Sequence, residues 1–130
     1  MKLVVADSSY VVEGLLKNAS LFENQVIFCP DYSLYEILNA VRKHHVLLKK
    51  IKDGASVIDA LFTLISTKRI QFLALEEGTI RKSYNLAVRS KMPIYDIVFI
   101  MLAKELKIEL KTFDKKQATI SKNMAHSDKT

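Results

Sequence analysis

Apolar positions in this chain follow two rhythms. Short continuous runs, Leu3-Val4-Val5-Ala6, Val26-Ile27-Phe28-Cys29 and Ile70 to Leu75, contrast with longer segments whose apolar residues recur three and four apart. A continuous, β-branched-rich run suits a strand covered on both faces, as in a parallel sheet. The longer rhythm places Leu34, Ile37, Leu38 and Val41 on one helical stripe, and Val57, Ile58, Leu61, Phe62 and Ile65 on another. Residues 77–91 read as a basic amphipathic helix and 96–106 as an apolar one. Residues 109–113 then form a last strand and 114–121 a short last helix. Ser8 and Ser9 are N-cap candidates for a helix after the first strand, and Asp31 for the helix after Pro30. Strand followed by helix, several times over, predicts an α/β sandwich with a mainly parallel sheet. Repeats and linkers are absent, so residues 1–121 read as one domain. Residues 122–130, "KNMAHSDKT", read as a polar tail that frays.

Composition narrows the class. At 130 residues with 49% hydrophobic and 26% charged residues, the chain buries a sizeable core without disulfides. Its single cysteine, Cys29, has no internal partner and suits apolar packing. The first apolar run ends after four residues at Asp7, unlike a secretory signal, and no run approaches the roughly 18 apolar residues of a membrane span. A cytoplasmic protein without a membrane partner is the expectation. A net charge of +6 favours polyanionic partners.

The acids carry more chemistry than the bases. Asp7 ends the first strand and reads either as a turn residue or as a functional acid. Asp96 opens an apolar, hence buried, helix, where it serves the helix dipole or a site. Asp114 ends the strand "ELKTF" as a helix cap or a further site residue. Glu36 lies roughly opposite the apolar stripe of its helix. Taken together they fit one cleft, because open parallel sheets bind ligands beyond the carboxyl ends of their strands. Like charges about 4 Å apart repel by roughly 4 kcal/mol at an effective dielectric near 20. Such a cluster needs protons or cations, and all-oxygen donors point to Mg²⁺ or Mn²⁺. His44 and His45 are adjacent on a helix and make a poor metal pair.

Four segments, "VVADSSYVV", "YEILNAVRK", "YDIVFIMLAKEL" and "LKTFD", resemble the acidic motifs of PIN-domain ribonucleases, above all the VapC-type toxins of toxin–antitoxin pairs. The resemblance spans residues 3 to about 120. It implies a PIN-like α/β/α sandwich in which Asp7, Glu36, Asp96 and Asp114 form a metal-binding acidic centre. Ser9, Asn39 and Thr112 match its supporting polar positions. Two positions depart from the pattern: Phe113 is bulkier than the small residue usual before the last acid, and Ile97 follows the third.

The implied chemistry is hydrolysis of RNA phosphodiesters. Asp7 and Asp96 would hold Mg²⁺ or Mn²⁺, while Glu36 and Asp114 hold metal-bound waters, place a second ion or accept a proton. Once the four acids are set aside, 20 basic residues face 10 of the 14 acidic ones, so an acidic pocket sits in a basic surface. Arg42, Lys43, Lys115 and Lys116 are the bases nearest the acids in sequence, and Tyr95 is placed to stack on an unpaired base. The resemblance further implies an antitoxin partner and a homodimer. The wide apolar stripe Val57, Ile58, Leu61, Phe62, Leu64 and Ile65 is the candidate surface, if it is not simply buried. Alternatives are an RNA-processing or DNA-directed nuclease of the same fold, or a non-catalytic nucleic-acid-binding module. A phosphoacceptor or phosphatase domain expects a second acid close behind the first, where Ser8 and Ser9 stand.

Overall fold

The computed structural model describes residues 1–128, with side-chain surroundings as far as Met124. Strands β1 (Lys2–Ala6), β2 (Gln25–Pro30), β3 (Ile70–Leu73) and β4 (Glu109–Lys111) form one sheet in the order β3-β2-β1-β4, every pair parallel. Helices α1 (Ser8–Leu16), α2 (Ser33–Arg42), α3 (Gly54–Ser66), α4 (Glu77–Ser90), α5 (Ile94–Leu106) and α6 (Lys115–Asp128) complete the chain. This is the expected α/β sandwich with a parallel sheet.

Strand alternation divides the core. Val4, Ala6, Ile27 and Cys29 face a cluster with Tyr10, Val11, Ile37 and Leu61, built by α1, α2 and α3. Val5 turns the other way onto Phe99, Leu102 and Ala103 of α5, with Phe28 and Leu110 beside it. A run apolar at every position is what two covered faces require. Fully burying each such side chain contributes about 1.5–3 kcal/mol. All seven residues from Ile97 to Ala103 are buried, because α5 meets the sheet on one side while Ile97 and Ile100 meet Leu86, Ile120 and Met124 on the other. Gly14 lets α1 lie against Phe22, whose ring fills the space a Cβ would take.

Element ends are where expectation and structure part. Asp7 itself caps α1, its carboxylate accepting from the Tyr10 N–H, so Ser8 and Ser9 fall inside the helix. Asp31 does not cap α2 with its side chain: its Oδ1 accepts from the Tyr32 N–H, one residue before the helix. Pro93 starts α5 two residues before Asp96, since proline cannot donate and is suited to a helix start. Lys91 and Lys107 end α4 and α5 in the left-handed region, at φ 56° and 58°, so no glycine marks those ends. A π-helical turn, Lys43–Leu47, extends α2, and the Gly54 break is the first turn of α3, capped by Asp53. The last helix continues past Ser121 to Asp128, so the expected tail is helical as far as it is described; residues 129 and 130 lie outside the described residues.

The strand order matters for function. The chain builds outward from β1 through β2 to β3, then returns to place β4 on the free side of β1. Connections on either side of β1 therefore leave in opposite directions, which opens a crevice at the carboxyl end of β1.

Candidate active site

A parallel sheet starts all of its crossover helices from one edge. Asp7 caps α1, Glu36 lies in the first turn of α2, Asp96 in the first turn of α5, and Asp114 caps α6 by accepting from the Gln117 N–H at 2.9 Å. Four helix N-termini thus carry the four acids. The partial positive charge at each end favours a carboxylate there, typically by about 0.3–1 kcal/mol. Asp7, read as a turn residue or a functional acid, and Asp114 are both helix caps.

Asp7 is the fixed point. It is 6% exposed, and its N–H extends the β1–β4 ladder to the Lys111 carbonyl. Its Oδ1 accepts from the Ser9 hydroxyl at 2.7 Å and the Tyr10 N–H at 3.0 Å, and its Oδ2 lies 2.5 Å from the Thr112 hydroxyl. Ser8 donates to Glu36 at 2.8 Å, tying α1 to α2. Ser9 and Thr112 therefore both contact Asp7. Asn39 does not: it is exposed, and its side-chain oxygen accepts from Arg42, because its place on α2 turns it toward solvent rather than toward Asp7.

Gln117 is the residue that sequence reasoning missed. It is 2% exposed, its Nε2 donates to the Asp96 carbonyl at 2.6 Å, and its Oε1 lies 2.9 Å from the Thr112 hydroxyl. Thr112 in turn accepts from the Asp114 N–H at 2.9 Å. One neutral amide thus links the elements bearing Asp7, Asp96 and Asp114. The available signal was helical spacing, since Gln117 stands three residues after a cap and faces inward. Its partners could not be read from sequence.

The acids sense one another. Burial, followed by Asp114 and Asp7, holds the Asp96 carboxyl above its ordinary range. Burial also raises Glu36, with Asp96 and Asp7 adding and the Ser8 hydrogen bond opposing. Among the described residues, no donor reaches the Asp96 carboxylate and no ion pair includes any of the four acids. No three His, Cys, Asp or Glu side chains among them close into a ligand cage. The donor set still fits a hard divalent cation: the oxygens are anionic, Asp96 has no donor, and the raised carboxyls need a positive charge. Cys29 is no competing ligand. Its thiol donates to the Ala6 carbonyl at 3.3 Å, and burial, then Asp7, pushes its ionisation well up.

Of the candidate bases, Lys115 and Lys116 open α6 directly beside Asp114, both exposed. Arg42 and Lys43, also exposed, stand six and seven residues beyond Glu36, roughly 9–10 Å along the helix axis. Tyr95 is 59% exposed at the mouth of the site.

Comparisons with known proteins bear on the family and the fold. Residues 5–123 match the family model of the PIN domain. The fold is similar to that of PAE2754 from Pyrobaculum aerophilum, with a TM-score of 0.68 and 21% identity over 91% of this chain and 85% of that one. It is equally similar to VapC20 of Mycobacterium tuberculosis, a sarcin–ricin loop cleaving toxin, with a TM-score of 0.68 and 11% identity over 90% and 94%. At such identities these likenesses bear on the fold alone. No curated relative matches the chain by sequence.

Two measurements probe this site without assuming its activity. Gln117→Leu keeps the volume but strips the Asp96 carbonyl and Thr112 of a partner, and should cost about 1–3 kcal/mol in chemical denaturation; an unchanged midpoint would mean that the amide links nothing. The second concerns pH. Because folded Asp96 and Glu36 hold protons that the unfolded chain releases, their contribution to stability falls as pH rises from about 4 through their raised values. In chelator, Asp96→Asn should gain a few degrees of melting temperature over wild type as pH rises toward neutrality, and little below pH 4. A pH-independent difference would contradict the repulsion.

Proposed function

Because this chain belongs to the PIN-domain family, we propose that it is a metal-dependent endoribonuclease and the toxin of a toxin–antitoxin pair. The observation that carries the reading is the set of four carboxylates at four helix N-termini on the sheet's carboxyl edge, two of them held above their ordinary range by burial and by one another. A protein that merely bound nucleic acid would gain nothing from negative charge gathered inside a basic surface.

Asp7 and Asp96 would hold Mg²⁺ or Mn²⁺, with Asp7 pre-aligned by Ser9 and Thr112. When bound, such an ion supplies Lewis-acid stabilisation of charge on the phosphate oxygens and lowers the pKa of water. Glu36 and Asp114 sit to either side, to hold metal-bound waters or a second ion. Glu36, with its carboxylate basicity raised, suits acceptance of the proton from the attacking water. Gln117 keeps Asp96, Thr112 and Asp114 in mutual register. Lys115 and Lys116, with Arg42 and Lys43 farther along the surface, draw the phosphates of RNA toward an acidic pocket that would otherwise repel them. No helix among the described residues is long and apolar enough to cross a membrane, and we place the protein in the cytoplasm with its RNA.

The partner reading rests on α3 and on the turn before it. Leu61 is fully buried and Leu64 and Ile65 pack on the core, but Phe62 is 48% exposed. Val46, Leu47 and Leu48, in and just after the π-helical turn, are 53%, 60% and 46% exposed. That apolar surface suits a homodimer that clamps an antitoxin segment, a basic residue of the segment reaching the acids.

Asp7→Asn and Asp96→Asn should each lower Mg²⁺- or Mn²⁺-dependent RNA cleavage by about 10²-fold or more while the chain stays folded. Either cation should raise the melting temperature of wild type, and far less that of the double variant. Cleavage by Asp7→Asn at the wild-type rate under matched metal would refute the assignment. For the partner, Phe62→Glu should lower the solution mass from dimer to monomer and weaken capture of the neighbouring gene's product. Leu61→Glu would instead disrupt the core. A wild type that remains monomeric at high concentration and binds no such product would sink the partner reading.

A further inference from the structure

Three of the four acids are preceded by an aromatic residue: Tyr35 before Glu36, Tyr95 before Asp96 and Phe113 before Asp114. All three rings are exposed, by 72%, 59% and 57%, so core packing does not account for them. Two are supported from behind by other rings. Tyr32 meets Tyr95 edge-on, with ring centres 6.5 Å apart, and its hydroxyl donates to the Tyr95 carbonyl at 2.6 Å. Tyr10, itself buried, stacks under Phe113 at 5.6 Å and 20°.

The supported rings flank Asp7. Tyr32 follows β2 by two residues, and Phe113 follows β4 by two; β1, which leads into Asp7, runs between those strands. On the β2 side, Tyr35, Tyr95 and Tyr32 line a groove of about 570 Å³ with Glu36 on its wall. On the β4 side, Phe113 lies beside exposed Lys115 and Lys116.

We propose that Tyr95 and Phe113 are stacking platforms that each hold an unpaired nucleobase of the substrate on either side of the acidic centre. The inference deepens the ribonuclease reading and rests on it for the identity of the polymer. A cation held by the acids would engage one phosphate, so the nucleotides on either side of it need contacts of another kind. A base presents a neutral π face, stacks on an aromatic ring without regard to its identity, and carries the adjoining phosphate with it. Lys115 and Lys116 then engage the next phosphates outward. A duplex keeps its bases stacked on one another and offers these rings nothing. The groove on the β2 side falls within the size range of small-molecule sites, about 300–1,000 Å³, which suits an extruded base. Phe113, bulkier than the residue usual at its position, thereby acquires a role.

The test uses the full chain carrying Asp7→Asn, which leaves the strand intact, in Mg²⁺ with oligoribonucleotides containing 2-aminopurine. Single strands should bind with quenching of the 2-aminopurine fluorescence, and duplexes of the same sequence should bind more weakly and without it. Phe113→Leu, which keeps cover on Tyr10 but loses the π face, and Tyr95→Ala should each weaken single-strand binding by about tenfold or more, whereas Phe113→Tyr and Tyr95→Phe should retain it. Equal binding of duplex and single strand, or Phe113→Leu and Tyr95→Ala binding as the parent does, would overturn the proposal. So would protection of these rings by a protein partner with no effect on RNA. Cleavage by chains with Asp7 intact separates the two readings. If Phe113→Leu and Tyr95→Ala cleave as wild type does, the platforms fail and the nuclease stands. If base stacking is seen but wild type cleaves nothing, the platforms stand and the nuclease fails.

Discussion

Mutual repulsion among four carboxylates is the constraint on which the architecture turns. Asp7, Glu36, Asp96 and Asp114 come from four separated parts of the chain, and nothing in simple electrostatics favours their meeting. A parallel sheet resolves the difficulty geometrically. Helices α1, α2 and α6 each start just beyond the carboxyl end of a strand. Helix α5, which follows α4, is tied to the same edge where Gln117 and Tyr32 donate to the Asp96 and Tyr95 carbonyls, so the positive ends of these helices gather where the acids gather. The residual imbalance is visible in Asp96 and Glu36, whose carboxyls burial and neighbouring charge hold above their ordinary range. The helix dipoles moderate the repulsion without cancelling it, and that remainder is what a divalent cation would neutralise.

Holding such a set together without cations falls to neutral groups. Ser8, Ser9, Thr112 and Gln117 donate to, or bridge between, the acid-bearing elements, and none adds charge. A lysine in the place of Gln117 would quench the site, and an acid there would add to the repulsion. The buried amide satisfies the Asp96 carbonyl and the Thr112 hydroxyl together, so its own burial costs little. The apolar framework is correspondingly stiff. β1 is covered on both faces, and α5 is surrounded by sheet, α4 and α6. The two elements that set Asp7 and Asp96 are therefore among the most firmly packed in the molecule.

Charge and aromaticity divide the labour around the centre. Exposed Lys115 and Lys116 stand directly beside Asp114, with exposed Arg42 and Lys43 farther from Glu36 on its helix. The exposed rings of Tyr35, Tyr95 and Phe113 each directly precede an acid. Bulky Phe113 fits this division: its ring stacks on Tyr10 on one side and stays 57% exposed.

What the sequence by itself determined is what depends on local rhythm. Continuous apolar runs located the strands, period-3.6 stripes located the helices, and strand–helix alternation gave a parallel sheet and hence an edge where Asp7 and Asp114 had to lie. For that reason the sequence alone marked Asp7, Glu36, Asp96 and Asp114 as acids near element ends, and the structure puts Ser9 and Thr112 in contact with Asp7 and Asn39 in contact with Arg42. Helix ends were less so. Asp7, and not the expected Ser8 or Ser9, caps α1, since its carboxylate reaches the Tyr10 N–H from one residue earlier, and Lys91 and Lys107 take left-handed turns that carry no glycine signature. Tertiary structure alone decided strand order, with β4 beside β1, because nothing local specifies which edge a returning strand joins. It alone brought Gln117 to Asp96, across 21 residues, and to Thr112, turned Asn39 away to Arg42, and buried Leu61 while leaving Phe62 in water. Those outcomes depend on the direction a side chain takes once two elements pack together, and a one-dimensional pattern does not contain that direction.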